Sequence, residues 1–375
     1  MKDRIGIVGG GQLGKMLALA AKKMGFRVFI IDPTPQSPAG QVSDFQIVAD
    51  FKDEKAIRRL AKMSDFLTFE VELANSKILD NLSKNGIKVN PNAKTLTIIK
   101  DKLLQKKFLK KAGIPVADFF QVQSKKDILK ISKKIKYPFL LKARFDAYDG
   151  RGNYLVQNEK DIDKGLEKLK GKKIYVEKFS PFVKELAIQV ARSLDGETKA
   201  YPVVETIHKN NICHIVIAPA PVNSKIFKKA GDLGIKVMRR LKGAGVFGIE
   251  MFLLKNGKVL VNEIAPRVHN SGHYTIEGNT TSQFEQHIRA ITGLPLGETK
   301  MIVPSAVMIN ILGERKGLAK VEGLDEILKI PNASVHIYGK LETRLDRKMG
   351  HITVVGKNRK ETLRKAKLAR EFISI

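Results

Sequence analysis

Between Val246 and Thr275 the chain carries two runs with the apolar bias of buried strands, VFGIEMFLL and VLVNEIA, joined by Lys255-Asn256-Gly257-Lys258. Asn-Gly is the preferred centre of a two-residue hairpin turn, so the runs are expected to pair antiparallel with Lys255 opposite Lys258. That register sets Leu254 against Val259, Phe252 against Val261 and Glu250 against Glu263. Like charges directly opposite each other destabilise a sheet, and neither carboxylate is cheaply ionised among Val, Leu, Ile and Phe. A divalent cation between them removes the conflict. Oxygen-only ligation with room for waters and phosphate oxygens suits Mg²⁺ better than Zn²⁺. The alternative is a slipped register that leaves one glutamate in solvent. Beyond Ala265 the strand pattern stops at PRVHNSGHYT, a cluster of charge, imidazole and amide without helical period. A buried strand ending in such a cluster is expected to end at a site.

A chain of 375 residues that is 43% hydrophobic has room for two or three domains and a sizeable core. Its net charge of +30 raises nucleic-acid binding as a function class. The distribution argues against it, because lysines recur through Lys102 to Lys111, Lys125 to Lys136 and Lys164 to Lys173 rather than on one arm. Zero Trp and seven Tyr leave few surfaces for base stacking. Cys213 is the only cysteine, so no internal disulfide forms and a reducing, cytoplasmic compartment is expected. No apolar run approaches a membrane span, so neither a membrane nor a nucleic acid is an expected partner.

In chain order, Arg4 to Val8 reads as a buried strand, Gln12 to Met24 as a helix and Val28 to Asp32 as a second strand. Gly9, Gly11 and Gly14 fit G-x-G-x-x-G, with Asp32 where a dinucleotide site places its ribose carboxylate. A nicotinamide oxidoreductase is therefore a rival reading, although a glycine turn at a helix N-terminus will cradle any anion. Alternating strand and helix patterns continue to Lys84, which predicts a parallel α/β domain. Phe139 to Ala143 is a strand that carries Lys142 among apolar neighbours, and RFDAYDGRGN from Arg144 to Asn153 is a glycine-containing loop with two arginines and two aspartates. Glycine lets backbone amides close on phosphates and arginine adds bidentate bonds; an ordinary Asp-Gly turn is the bland alternative.

Five stretches in order, GGGQLGKM (Gly9 to Met16), YDGRGN (Tyr148 to Asn153), NEIAPRVHNSGHYT (Asn262 to Thr275), SQFEQHIRAITG (Ser282 to Gly293) and DRKMGHITV (Asp346 to Val355), resemble the ATP-grasp superfamily. Within it they resemble the 5-(carboxyamino)imidazole ribonucleotide synthase family of de novo purine biosynthesis, over essentially the whole chain. The resemblance implies an α/β chain, α+β in its lid and C-terminal parts. Residues 1–93 would form a Rossmann-like parallel-sheet domain, 94–198 a central lid, and 199–375 the ATP-grasp domain with the metal carboxylates and a C-terminal extension.

The implied reaction uses ATP and bicarbonate to carboxylate the exocyclic amine of 5-aminoimidazole ribonucleotide through carboxyphosphate, with Mg²⁺ as cofactor and the chain as a homodimer. By resemblance, Lys102, Lys142, Tyr148, Gly150, Gly152 and Asn262 contact the nucleotide, Glu177, Lys178 and Phe179 form its adenine side, and Glu185 takes the ribose. Glu250 and Glu263 hold Mg²⁺. Gly11, Gln12, Leu13, Arg267, Asn270, Ser271 and Arg347 bind the ribonucleotide, and Asp149, Arg151, Lys348 and His269 carry the chemistry. The four-residue spacing of His269 and His273 invites a zinc reading, but Pro266, Asn270, Ser271 and Gly272 oppose the helix it needs. Both histidines are expected to line the bicarbonate and amine pocket. The sequence departs from the family pattern at Asp146-Ala147, Asp346 and Lys184, where glycine is common, and at Lys15, where arginine is common.

Overall fold

The computed structural model describes residues 3–146 and 152–375. Its first unit is a five-stranded parallel sheet in the order Phe45–Val48, Arg27–Asp32, Arg4–Val8, Phe66–Phe69, Lys88–Val89. Arg4–Val8 and Phe66–Phe69 are buried almost throughout, as central strands covered by helices on both faces must be. The strand order reverses between these two, so the loops that follow them, at Gly9 and at Glu70, open into one crevice.

The second unit is a four-stranded antiparallel sheet, Phe119–Gln121, Ile174–Lys178, Phe139–Ala143, Asn153–Val156, over which helices Lys125–Ile135 and Asp161–Lys168 close a core of Ile128, Phe139, Leu141, Ile162 and Val176. The third is a nine-stranded antiparallel sheet. Its path runs Val259–Ala265, Gly245–Leu254, Phe182–Arg192, Val204–Lys209, Ile212–Ala218, Ser305–Leu312, Lys348–Gly356, Ala333–Ile337, with Thr198–Ala200 beside Phe182–Arg192. Phe182–Arg192 pairs along its whole length with Gly245–Leu254. A break at 198/199 would run through this sheet, whose hydrogen bonding groups Phe182–Arg192 with the C-terminal strands.

The hairpin read from the sequence is present with a different turn. Gly257 N–H donates to Leu254 O and Leu254 N–H to Lys258 O, each at 2.9 Å, and Gly257 takes φ +76°, so the loop has three residues with glycine in the left-handed region. Next to the turn, Leu253 faces Val259 and Phe252 faces Leu260, one residue away from the expected pairs. A bulge between Glu250 and Met251 then inserts Asn262 as an extra residue and restores Glu250 opposite Glu263. The carboxylate pair is as expected; the turn chemistry that led to it is not.

Helix Gln283–Thr292 joins the first unit to the large sheet. Leu13, Met16 and Leu17 of helix Gln12–Lys23 share a core with its Phe284, Ile288 and Ile291. Its His287 is fully buried, accepts from Val246 N–H at Nδ1 (3.0 Å), and therefore carries its proton on Nε2, which donates to Thr68 Oγ1 (2.9 Å). One imidazole thus ties the parallel sheet to the antiparallel one.

Burial pushes the His287 imidazole down from 6.5 to about 4. Between these values the unfolded chain binds the proton and the folded one does not, so stability falls as the pH drops through that window, by about 3 kcal/mol from this group. His287→Leu, which strands Val246 N–H, should cost about 2–4 kcal/mol at neutral pH and flatten the acid limb. Urea titrations of both proteins at about pH 7 and pH 5 check this: parallel loss of stability in the two would contradict it.

Candidate functional site

The site assembles around the helix Lys102–Lys111, whose N-terminus is capped by Asp101 accepting from Leu103 and Leu104 N–H. Arg144 Nε donates to Asp101 Oδ1 at 3.0 Å, tying that cap to the lid strand's end. Lys102 and Lys106 lie one turn apart on the helix face that meets both sheets. Lys102 Nζ sits 2.9 Å from Glu263 Oε2, while Lys106 Nζ (2.9 Å) and Lys142 Nζ (3.0 Å) both hold Glu177. Glu177, Lys106 and Lys142 are almost wholly buried. Burial alone would raise the Glu177 carboxyl, yet the two ammonium groups hold it at about 2. Between the lysines, Gln105 Oε1 accepts from Ile264 N–H (3.2 Å), which fixes the strand carrying Glu263.

At the carboxylate pair, burial and then the charge of Glu263 push Glu250 up to about 7. Burial works the same way on Glu263, but the Lys102 ammonium prevails and keeps it low. Asn262, placed beside Glu263 by the bulge, has a buried Oδ1 without a hydrogen-bond partner. Two carboxylates and an orphaned amide oxygen fit Mg²⁺, which completes its shell with water and phosphate oxygens. Among the described residues no group of three or more His, Cys, Asp or Glu is arranged to hold a metal.

His269 closes one side, with Nε2 3.6 Å from Glu250 Oε1. Gln189 Nε2 donates to Ser271 Oγ (2.7 Å), so that hydroxyl turns its proton to His269 Nδ1 (2.8 Å). Burial, then Arg267 and Lys348, hold His269 well below its usual range, so it is a neutral imidazole presenting Nε2–H to the site. A Cβ at Gly248 would lie 2.4 Å from His269 Cβ, so glycine there makes room for the ring. Across the sheet, His208 Nδ1 lies 2.9 Å from Glu185 Oε2. Burial lowers His208 and Glu185 more than compensates.

Lys348, from a strand several places away in the sheet, exerts its charge on His208, His269 and His273, so the C-terminal segment reaches this cluster. Lys340 Nζ donates to Lys348 O (2.6 Å), and burial followed by Arg347 lowers it to about 7. Arg347 Nη1 donates to Glu342 O within its own loop.

Other expected residues are placed differently. Gly11 N–H and Gly14 N–H donate to Glu70 (2.6 and 2.9 Å), and Gly10 N–H to Asp32 (2.9 Å), so the glycine-loop amides already have internal carboxylates. Arg267 Nη2 pairs with Glu72 (3.0 Å) beside them. Gln12 opens its helix and Leu13 is buried in the core shared with Phe284. Asn270 is paired amide to amide with Asn310, and the Ser271 hydroxyl is used on His269. His273 has no exposed surface and so does not line a pocket, contrary to expectation. Lys178 is exposed, Phe179 partly buried, and Gly152 O accepts from Ala143 N–H (2.8 Å). Tyr148, Asp149, Gly150 and Arg151 lie outside the described residues. Sequence reading missed Lys106, Glu70, Glu72, Gln189 and His208. The four-residue spacing from Lys102 marked Lys106; nothing local marked the others.

An antiparallel lid over a larger antiparallel sheet, with lysines from both sides facing a carboxylate pair, defines an ATP-grasp ligase, and the ATP-grasp domain family matches residues 107–284. A ribonucleotide synthetase preATP-grasp domain matches 1–100, and a phosphoribosylaminoimidazole carboxylase C-terminal domain 306–365. The chain is 42% identical over 349 residues to N5-carboxyaminoimidazole ribonucleotide synthase of Bacillus subtilis, covering 93% of this chain and 90% of that one. It is 47% identical over 362 residues to the phosphoribosylaminoimidazole carboxylase of Ogataea methanolica, covering 94% of this chain but 66% of that longer protein. The crystal structure of the Thermotoga maritima synthetase superposes with a TM-score of 0.91 at 48% identity, covering 100% of this chain and 99% of that one. The Aspergillus clavatus synthase in complex with ADP and 5-aminoimidazole ribonucleotide gives 0.92 at 37% identity, with 99% of both chains covered. The chain belongs to the N5-carboxyaminoimidazole ribonucleotide synthase family.

Glu250 supplies a test that needs no ligand. Its folded pKa of about 7 exceeds the ordinary 4.5, so the stability linked to its proton is complete below about pH 4.5 and lost as the pH rises to about 7. Glu250→Gln should therefore gain on the parent as pH rises through that window in metal-free buffer. A stability difference that stays constant with pH would show that Glu250 ionises freely.

Proposed function

We propose that the chain uses ATP and bicarbonate to carboxylate the exocyclic amine of 5-aminoimidazole ribonucleotide, giving 5-(carboxyamino)imidazole ribonucleotide, ADP and phosphate. The observation that carries this reading is the Glu250–Glu263 pair beside the orphaned Asn262 oxygen, with lysines from lid and helix aimed at the same cleft. Glu250, Glu263 and Asn262 would hold Mg²⁺ there, and the ion would offset the charge of the pair and of the nucleotide phosphates.

Phosphoryl transfer requires positioning and fixed charge more than covalent catalysis. In this reading Lys102 and Lys142 exchange carboxylate partners for phosphates, and Tyr148, Gly150 and Gly152 contact the nucleotide. Glu177, Lys178 and Phe179 edge the adenine, and Glu185, held by His208, takes the ribose. A bicarbonate oxygen attacks the γ-phosphorus and ADP leaves; the amine nitrogen then bonds to the carboxyl carbon, phosphate departs, and the amine loses a proton. His269 presents a neutral N–H to the bicarbonate-derived oxygens. Arg151 and Lys348 hold carboxyphosphate and Asp149 accepts the amine proton, while Arg267 and Arg347 bind the ribonucleotide near Gly11 and Gln12. The internal carboxylates on the glycine loop favour this assignment over a dinucleotide, since Glu70 stands where a pyrophosphate would.

We further infer a cytoplasmic homodimer. Leu318, Leu341 and Leu345 are exposed and offer apolar surface for a second copy, and the single cysteine, Cys213, is buried. No helix among the described residues is long and apolar enough to cross a membrane.

The deciding assay is ADP release with Mg-ATP, with and without bicarbonate and the ribonucleotide. Stimulation by both together is expected, and Glu263→Gln should lower the stimulated rate by about 100-fold or more, as lost transition-state electrostatics do. Release indifferent to the ribonucleotide, or full activity in Glu263→Gln, would sink the proposal.

A further inference from the structure

Gln283 is the first residue of its helix, fully buried, behind a Ser282 cap that accepts from Glu285 N–H. Its amide closes on the backbone of the site loop. His269 N–H donates to Gln283 Oε1 (2.9 Å), and Gln283 Nε2 donates to His269 O (2.8 Å), which fixes which way round the amide lies. The same Nε2 lies 3.2 Å from His273 Nδ1. With an amide N–H directed at it, Nδ1 must accept, so His273 is neutral with its proton on Nε2. The approach depends on Gly272, where a Cβ would lie 2.4 Å from Gln283 Oε1.

The surroundings hold that state. The His273 ring lies 4.7 Å from the His351 ring, 5.6 Å from Phe284 and 6.4 Å from Tyr338, centroid to centroid. The charged and titratable groups that face it are Arg267 and Lys348 from the site side and His336 and His351 from the sheet; His336 Nε2 is bound to Glu277 Oε1 at 2.6 Å. Burial first, then His336, Lys348 and Arg267, keep His273 well below its ordinary range. An Nδ1–H here would oppose the amide N–H, and turning the amide over would set Oε1 against His269 O.

We propose that His273 is a positioning residue: a neutral imidazole whose Nδ1 locks the Gln283 amide and, through it, the backbone of His269, so that the His269 Nε2–H is held toward the Glu250–Glu263 pair. This rests on the function proposed above. His273 touches no reactant; its action passes through Gln283.

The test compares His273→Phe, which keeps a ring but no acceptor, with His273→Asn, whose Oδ1 replaces Nδ1 as acceptor, and with Gln283→Met alone and combined with His273→Phe. His273→Phe should lower kcat for ribonucleotide-stimulated ADP release roughly 10- to 100-fold, the scale of a small displacement in a reacting geometry, with KM for ATP nearly unchanged. His273→Asn should recover most of the rate. The double variant should be no slower than the slower single one, because both break one lock. Nitrogen-15 spectra of the parent should show His273 neutral with its proton on Nε2 from about pH 6 to pH 8. Equal rates in the Phe and Asn variants, additive losses in the double, or a proton on Nδ1 would overturn the proposal. If His273→Phe does not fold, Gln283→Met still carries the kcat test. A parent without ribonucleotide stimulation refutes the function instead, and the spectrum then decides the lock alone.

Discussion

Glu250 and Glu263 face each other across adjacent antiparallel strands, and much of the cleft compensates for that repulsion. The Lys102 ammonium neutralises one partner, burial discourages ionisation of the other, and a neutral His269 adds no positive charge that would bind a carboxylate permanently. The remaining negative potential, with the unpartnered Asn262 oxygen, is what a small hard cation answers. The pair exists because of a bulge. Had Asn262 been paired regularly instead, the register set by the Gly257 turn would put it opposite Glu250 and carry Glu263 on to Ile249 and the other face.

Helix Lys102–Lys111 is the strut that makes one cleft out of two sheets. Its Asp101 cap grips Arg144, its Lys106 grips Glu177, and its Lys102 and Gln105 grip Glu263 and Ile264. Buried ion pairs of this kind add little net stability over apolar packing, but breaking one leaves a stranded charge. The lid is thereby registered to the Glu250–Glu263 pair by charge.

Legibility in the sequence followed the range of each interaction. The parallel sheet, the lid strands and the hairpin were visible because they rest on local periodicity and turn chemistry, and the site loop because no core explains PRVHNSGH. The Asn-Gly turn was read one residue short because Gly257, rather than Asn256 and Gly257 together, takes the special conformation. The two errors along the hairpin cancelled at Glu250 only through the bulge, which local propensity does not announce. Glu70, Gln189, His208 and Gln283 stayed hidden because their roles depend on partners far along the chain. Asp146 and Asp346 show the opposite case: both occupy left-handed backbone, at φ 52° and 64°, a region that suits glycine and that aspartate enters more readily than most other residues.

The glycine loop after the first strand has a consequence for how such motifs are searched. In a dinucleotide enzyme the loop is a socket for a phosphate, and its glycines remain vacant so that a ligand can enter. Here the Glu70 carboxylate occupies the amides of Gly11 and Gly14, and a Cβ at Gly11 would meet Glu70 Oε1 at 2.7 Å. The glycines are thus spacers for an internal plug. Any screen that ranks chains by this fingerprint, or any nicotinamide-like inhibitor designed to it, will select this domain and find the door already closed from inside.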